Sequence, residues 1–161
     1  MATQRSTKHL ALTEEGVRAL NNLLIGFLLE SGAKAVLLMD KSGQLITTQG
    51  ETSSYDTMSL SALFIGAFNS TKALATLLGE SEFRRMFQQG HQYSVYMAAL
   101  STQEVLAVIF SNQVAVGRIK YKLEQSLDAI DQQMQTMYQQ TALLPPMRPA
   151  QPPAPKLNDL F

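Results

Sequence analysis

The chain contains no cysteine. That excludes a disulfide framework, a thiolate metal site and a cysteine nucleophile, and it fits a reducing compartment, with the cytoplasm as the expected location. Histidine is nearly as scarce. Neither His9, in the polar start of the chain, nor His91, beside Gly90, has a metal-ligating partner at helical spacing, so both read as solvated. Net charge is missing too: 13 basic residues balance 13 acidic ones, and no field steers the chain toward nucleic acid or an anionic membrane. A protein this close to neutrality tends to self-associate. The longest apolar run, Leu23 to Leu29, is broken by Gly26 and bounded by Asn22 and Glu30, far short of the ~20 residues a membrane span needs. Met1 to Leu10 is polar and does not read as a signal peptide. Gly43 and Gly50 are isolated turn residues without the glycine-rich loop and lysine that cradle phosphate. No GTP, metal or other cofactor is therefore expected on this chain.

Proline is absent before position 145, and all six prolines fall between Pro145 and Pro155. Such a segment extends at about 3.1 Å per residue and cannot collapse. Behind it stands an apolar-acidic pentapeptide, Leu157-Asn158-Asp159-Leu160-Phe161. The expected organisation is a flexible start over 1–12, one domain over 13–143, a spacer over 144–156 and a terminal motif over 157–161. With 45% apolar residues in the chain, the middle region can build one core.

Within it, Val17, Leu20, Leu24, Phe27 and Leu28 recur at helical spacing behind a Thr13 cap, and Gly32 ends that helix. Ala33 to Asp40 reads as a strand, Asp40-Lys41-Ser42-Gly43 as a turn, and Gln44 to Thr48 as its hairpin partner. Asp56 caps a second helix running to Leu78, closed by Gly79, with an expected core stripe of Leu60, Leu63, Phe64, Ala67, Leu74 and Leu77. Strands follow at Phe83 to Gln88, Tyr93 to Leu100 and Glu104 to Phe110. The middle one is apolar on both alternations, which requires helices on both faces of the sheet. A last helix spans about Val114 to Leu143, with its glutamine-rich half, Gln132 to Gln140, expected to fray or project. The order is α-ββ-α-βββ-α, an α/β (α+β) arrangement with a five-stranded antiparallel sheet.

Opposite the expected core stripe of the second helix lies a row of small residues: Ser59, Ala62, Gly66, Asn69, Ser70 and Ala73. Glycine inside a helix costs about 1 kcal/mol against alanine. Gly66 therefore either fits beneath the chain's own sheet or marks the close approach of a partner, and the flanking small residues favour the partner. Catalytic groups are not expected. Glu14-Glu15 and Glu80 with Glu82 sit at element ends, where capping explains them. Arg84 and Arg85 could imitate an arginine finger but read better as charges guarding a strand edge. Met39, Met97 and Met134 fall on core alternations, where methionine is filler.

The stretches Ala33 to Ile46, Asp56-Thr57-Met58-Ser59-Leu60, Leu77-Leu78-Gly79-Glu80-Ser81-Glu82-Phe83 and Ser94-Val95-Tyr96-Met97 resemble the roadblock (dynein light-chain) family, specifically its bacterial MglB type. The likeness covers roughly Thr13 to Leu127, and Asn158-Asp159-Leu160-Phe161 is similar to the tail of some members. It implies a homodimer joined through the third strand, with Phe83, Met86 and Phe87 at the joint. It also implies that paired second helices bind a GTP-loaded Ras-like small GTPase of the MglA type and stimulate its hydrolysis. Ser59, Ala62, Gly66, Asn69 and Ala73 would then form the partner surface, with Arg18, Lys120, Lys122, Leu157, Asp159, Leu160 and Phe161 as further contacts. The chain departs from the family pattern at Ala19 and Gln125, where basic residues are expected. A scaffold that tethers a GTPase without changing its turnover is the competing expectation. A small-ligand sensor of profilin or PAS type is disfavoured, since no polar groups converge inside the expected core.

Overall fold

The computed structural model describes residues 12–143. Three helices and five strands follow in the order α1 (Glu14–Ser31), β1 (Ala35–Met39), β2 (Leu45–Gly50), α2 (Thr57–Leu78), β3 (Arg85–Gln89), β4 (Tyr93–Ala99), β5 (Val105–Ser111) and α3 (Val116–Leu143). The strands form one antiparallel sheet ordered β2-β1-β5-β4-β3. Its two edges are thus β2 and β3. This is the roadblock architecture expected from the order of elements.

Strand alternation divides the interior in two, because successive side chains point to opposite faces. Val36 and Leu38 of β1, Tyr96 and Ala98 of β4, and Leu106, Val108 and Phe110 of β5 face α1 and α3. Ala35, Leu37, Met39, Met97, Val105, Ala107 and Ile109 face α2. The central strands β1 and β5 are consequently buried on both sides, and their near-continuous apolar sequences follow from that.

On the α1/α3 face the expected periodicity holds. Leu20, Leu24 and Phe27 of α1 meet Ile119, Leu123, Leu127, Ile130, Met134 and Met137 of α3. Thr13 accepts from the Gly16 amide at 3.1 Å, and Gly32 closes α1 at φ 75°. The glutamine-rich half of α3 neither frays nor projects within the described residues, contrary to expectation. Met134 and Met137 are buried, Gln133 Nε2 donates to the Gly16 carbonyl at 3.2 Å, and Gln135 donates to Ser101 Oγ at 3.2 Å. Amide side chains replace the missing apolar anchors. Asp131 Oδ1 accepts from the Ser101 amide at 2.9 Å, and buried Glu104 accepts hydrogen bonds from Thr102 and Tyr138. Burial first, and the Glu104 contact second, hold the Tyr138 phenol far above its ordinary pKa.

The α2 face departs from the expected stripe. The residues that turn inward are Ser61, Ile65, Phe68 and Ala75, with Leu60 and Phe64 half-buried beside them. Leu63, Leu74 and Leu77 do not reach the core: they are 70%, 51% and 85% exposed. The inward face includes a serine because its hydroxyl is satisfied, donating to the Gly43 carbonyl at 2.7 Å. β3 also begins later than expected, at Arg85, leaving Phe83 half-buried ahead of the strand.

Candidate functional site: the outer face of the second helix

Local chemistry fixes α2 firmly at both ends. Asp56 caps it, with Oδ1 accepting from the Ser59 amide at 3.2 Å and Oδ2 from the Ser59 hydroxyl at 2.6 Å. Those contacts, the hydroxyl foremost, hold the Asp56 carboxyl below its usual pKa. At the far end Gly79 takes a left-handed conformation at φ 76°, and the Glu80 amide bonds back to the Ala75 carbonyl at 2.9 Å. The helix also lies directly on the β1–β2 turn. A Cβ added at Gly43, itself at φ 91°, would sit 3.2 Å from Ala62 Cα.

With Ser61, Ile65 and Phe68 facing the sheet, the opposite side presents Ser59, Leu63, Gly66, Ser70, Ala73 and Leu77, all exposed. Their spacing is 4-3-4-3-4, the spacing of a seam along which two helices pack. Three small residues, Gly66, Ser70 and Ala73, stand between Leu63 and Leu77, and a Cβ at Gly66 would meet open space rather than the chain's own sheet. Gly66 is therefore not explained by packing inside the monomer. Met58 and Leu78, each 65% exposed, extend the apolar character to both ends. Lys72 is the single charged residue in the helix. By length and composition α2 is apolar enough to cross a membrane, yet its four buried residues make it a layer of this fold. A contiguous exposed apolar face marks a surface for another molecule. It carries no histidine, cysteine or carboxylate.

The structure separates the residues singled out from sequence. Ser59, Ala62, Gly66 and Ala73 lie exposed on α2, with Asn69 half-buried on its flank. Arg18, Lys120 and Lys122 belong to helices on the other face of the sheet. They do not converge even there. α1 and α3 run antiparallel, with Gly16 beside Met137 and Glu30 beside Arg118. Lys122 pairs with Glu30 at 3.9 Å and Arg18 with Glu14 at 3.6 Å, about 18 Å apart along α1 at 1.5 Å per residue. On the β3 edge, Met86 packs toward the α2 side, whereas Phe87, 41% exposed, stacks on Phe110 at 6.2 Å. Arg85 is held by Glu124 through contacts of 2.8 and 3.3 Å, and Arg84 stands 3.9 Å from Glu82. Leu157, Asp159, Leu160 and Phe161 lie outside the described residues. Leu63, Leu74 and Leu77 were missed as surface residues. No periodic signal singles out the inward set Ser61, Ile65 and Phe68, because α2 is apolar nearly all round.

The profile of the Roadblock/LC7 domain matches residues 20–110. The chain belongs to that family. Among solved structures, this roadblock chain is similar to Myxococcus xanthus MglB, at 33% identity and a TM-score of 0.74, over 80% of this chain and 96% of that one. MglB from Thermus thermophilus shares the fold at 24% identity and a TM-score of 0.73, covering 79% and 96%. Profilin II of Acanthamoeba castellanii shares it more distantly, at 15% identity and a TM-score of 0.50, covering 71% and 94%. No curated protein matches the sequence. The roadblock domain and the likeness to Myxococcus xanthus MglB point to a regulatory protein of the MglB kind.

Proposed function

We propose that this roadblock protein is a cytoplasmic homodimer that binds a GTP-loaded Ras-like GTPase of the MglA type across its α2 helices and stimulates GTP hydrolysis without contributing an arginine finger. The observation that carries the reading is the uncharged, small-residue seam of α2, exposed on a chain 33% identical to MglB. Two such helices side by side would offer a flat surface to the switch region of a GTPase. Stimulation would arise by favouring the conformation in which the GTPase's own catalytic residues are in place, a shift of population that requires no active site here. The arginine nearest the β3 edge, Arg85, is already held by Glu124, which supports a mechanism without a finger. The terminal Leu157 to Phe161 motif would be a second, tethered contact. An extended segment of about eleven residues, from Pro145 to Pro155, would reach roughly 35 Å at ~3.1 Å per residue, and tethering would raise the local concentration of the motif to about the millimolar range.

The placement of Arg18, Lys120 and Lys122 away from α2 favours a second reading, a scaffold that binds the GTPase without altering its turnover. One measurement separates the two: GTP hydrolysis by the cognate GTPase alone, with the full chain, and with a chain ending at Lys156. A rise in turnover supports the regulator. Saturable binding with unchanged turnover supports the scaffold, and no binding at all overturns both.

A further inference from the structure

Lys34 lies between two aromatic rings drawn from distant parts of the chain. Its ammonium sits 4.5 Å from the centre of the Tyr93 ring and 5.3 Å from that of Tyr55, and Nζ donates to the Tyr93 hydroxyl at 3.5 Å. None of the ion pairs among the described residues involves Lys34. Its backbone is a fixed point at the end of the sheet: its amide donates to the Ile109 carbonyl at 2.8 Å, and its carbonyl accepts from the Glu51 amide at 2.9 Å. The Tyr55 phenol foremost, then that of Tyr93, favours the charged form and holds the lysine above its ordinary pKa despite some desolvation.

Tyr55 stands immediately before Asp56, the cap of α2. In that position its ring, together with Leu60 four helical positions on, sets the angle at which the chain turns into the helix, and both residues pack on the α2-side core. Apart from that core contact and the Glu51 amide on the Lys34 carbonyl, the loop before it is held by short-range bonds, the Thr52 amide to the Gly50 carbonyl and the Tyr55 amide to the Thr52 carbonyl. The ammonium is what links Tyr55 across to β4.

We propose that Lys34 is a positioning residue for the α2 docking face: its cation, shared by Tyr55 and Tyr93, locks the start of α2 to the sheet. The consequence for partner binding rests on the proposed function, since it matters only if α2 is the docking helix. The lock itself does not. Charge is the operative property, because the attraction is between a cation and the negative faces of the rings.

Hydrogen exchange by the full chain tests this without any partner. In Lys34→Gln, the amides of Glu51, Tyr55, Ser59 and Leu60 are expected to exchange on the order of tenfold faster, the size expected from losing two exposed cation–aromatic contacts. Central β5 amides should be unchanged. Lys34→Arg, which keeps the cation, should stay within about twofold of the parent. Equal exchange in Lys34→Gln and the parent, or equal loosening in Lys34→Arg and Lys34→Gln, overturns the lock. Affinity for the GTP-loaded GTPase is read in parallel. A Lys34→Gln loosening with a matching loss of affinity supports both inferences. The same loosening in a chain that binds no GTPase in any variant upholds the lock and overturns the partner.

Discussion

The two faces of the sheet are built on opposite plans. α1 and α3 close over theirs with an unbroken row of buried leucines, isoleucines and methionines, and polar side chains at the margins are tied down: Gln133 to Gly16, Asp131 to Ser101, Arg85 to Glu124. α2 closes over the other face with four buried residues and leaves leucines in solvent. One side is closed within the monomer, and the other leaves apolar surface in solvent. Apolar content alone does not distinguish them. What distinguishes them is whether the apolar residues share one side of the helix.

The largest expected difference is in stability. Leu123, fully buried beneath α1, should cost about 3 kcal/mol when replaced by alanine, the usual range for a buried leucine being roughly 2–5 kcal/mol. Leu77→Ala, at an 85% exposed site, should stay within about 0.5 kcal/mol in dilute protein. Chemical denaturation of the two variants at low concentration decides it. Comparable losses would mean that α2 already lies in a folded core, and the contrast between the faces would fall.

Association should show the reverse order. The parent is expected to be a dimer at micromolar concentration, and light scattering that returned 17.7 kDa throughout would remove the basis for a composite surface. Ala62→Arg or Ala73→Arg should weaken GTPase binding at least about a hundredfold, since a long charged side chain on a small-residue face blocks close approach. For Ala62→Arg, which lies beside the seam and not in it, the dimer and its melting temperature should be nearly unchanged. A large drop in melting temperature instead would place these positions inside a monomer core.

How much of this was legible in the sequence follows the same division. α1 and the first half of α3 gather most of their apolar residues on one side, Ile25, Leu29 and Tyr121 apart, so periodicity finds their buried faces. α2 is apolar nearly all round, and periodicity then carries little information: leucine looks like core and Ser61 looks like surface. Only the turn carbonyl of Gly43, contributed by another element, makes a serine the better inward residue. The buried half of Gln132 to Gln140 was hidden for a related reason, since the amides pair with backbone and serine groups that linear spacing does not reveal. Arg18, Lys120 and Lys122 lie across the sheet from α2, a placement that chain order does not reveal, since it does not say which side of a sheet a helix covers. Lys34, Tyr55 and Tyr93, brought together from two loops and the start of β4, left no signal at all.

A smaller effect concerns the margin of the closed face. Glu124 is held below the usual carboxylate range chiefly by its hydrogen bonds to Arg85. A depressed folded pKa means that the contribution is fully present above the unfolded value, about 4.5, and is lost as pH falls through the folded value. Both side chains are partly exposed, at 31% and 45%, so solvent screening limits the pair to under about 1 kcal/mol. Denaturation of the parent and of Glu124→Gln should differ by that amount at pH 7, and the difference should shrink as pH falls below 4.5. A difference that did not change with pH would show that glutamine disturbs packing, and the ion pair would lose its role in closing this face.

The smallest expected effect is the most informative about mechanism. Arg84 and Arg85 stand at the β3 edge, where the two faces meet, and either could in principle reach a GTPase seated on α2. Arg85 is committed to α3 through Glu124, however, and a finger must be free to cross into the partner's phosphate site. Arg84 is less constrained, with only Glu82 nearby at 3.9 Å. A finger contributes on the order of 10³ to 10⁵ in rate, so the test has a wide margin. With Arg84→Ala and Arg85→Ala, separately and together, the stimulated hydrolysis rate should stay within about threefold of the parent at saturating protein. Loss of roughly a thousandfold with binding preserved would be the mark of a finger. The β3 edge would then be a catalytic element, and α2 a docking platform that positions it.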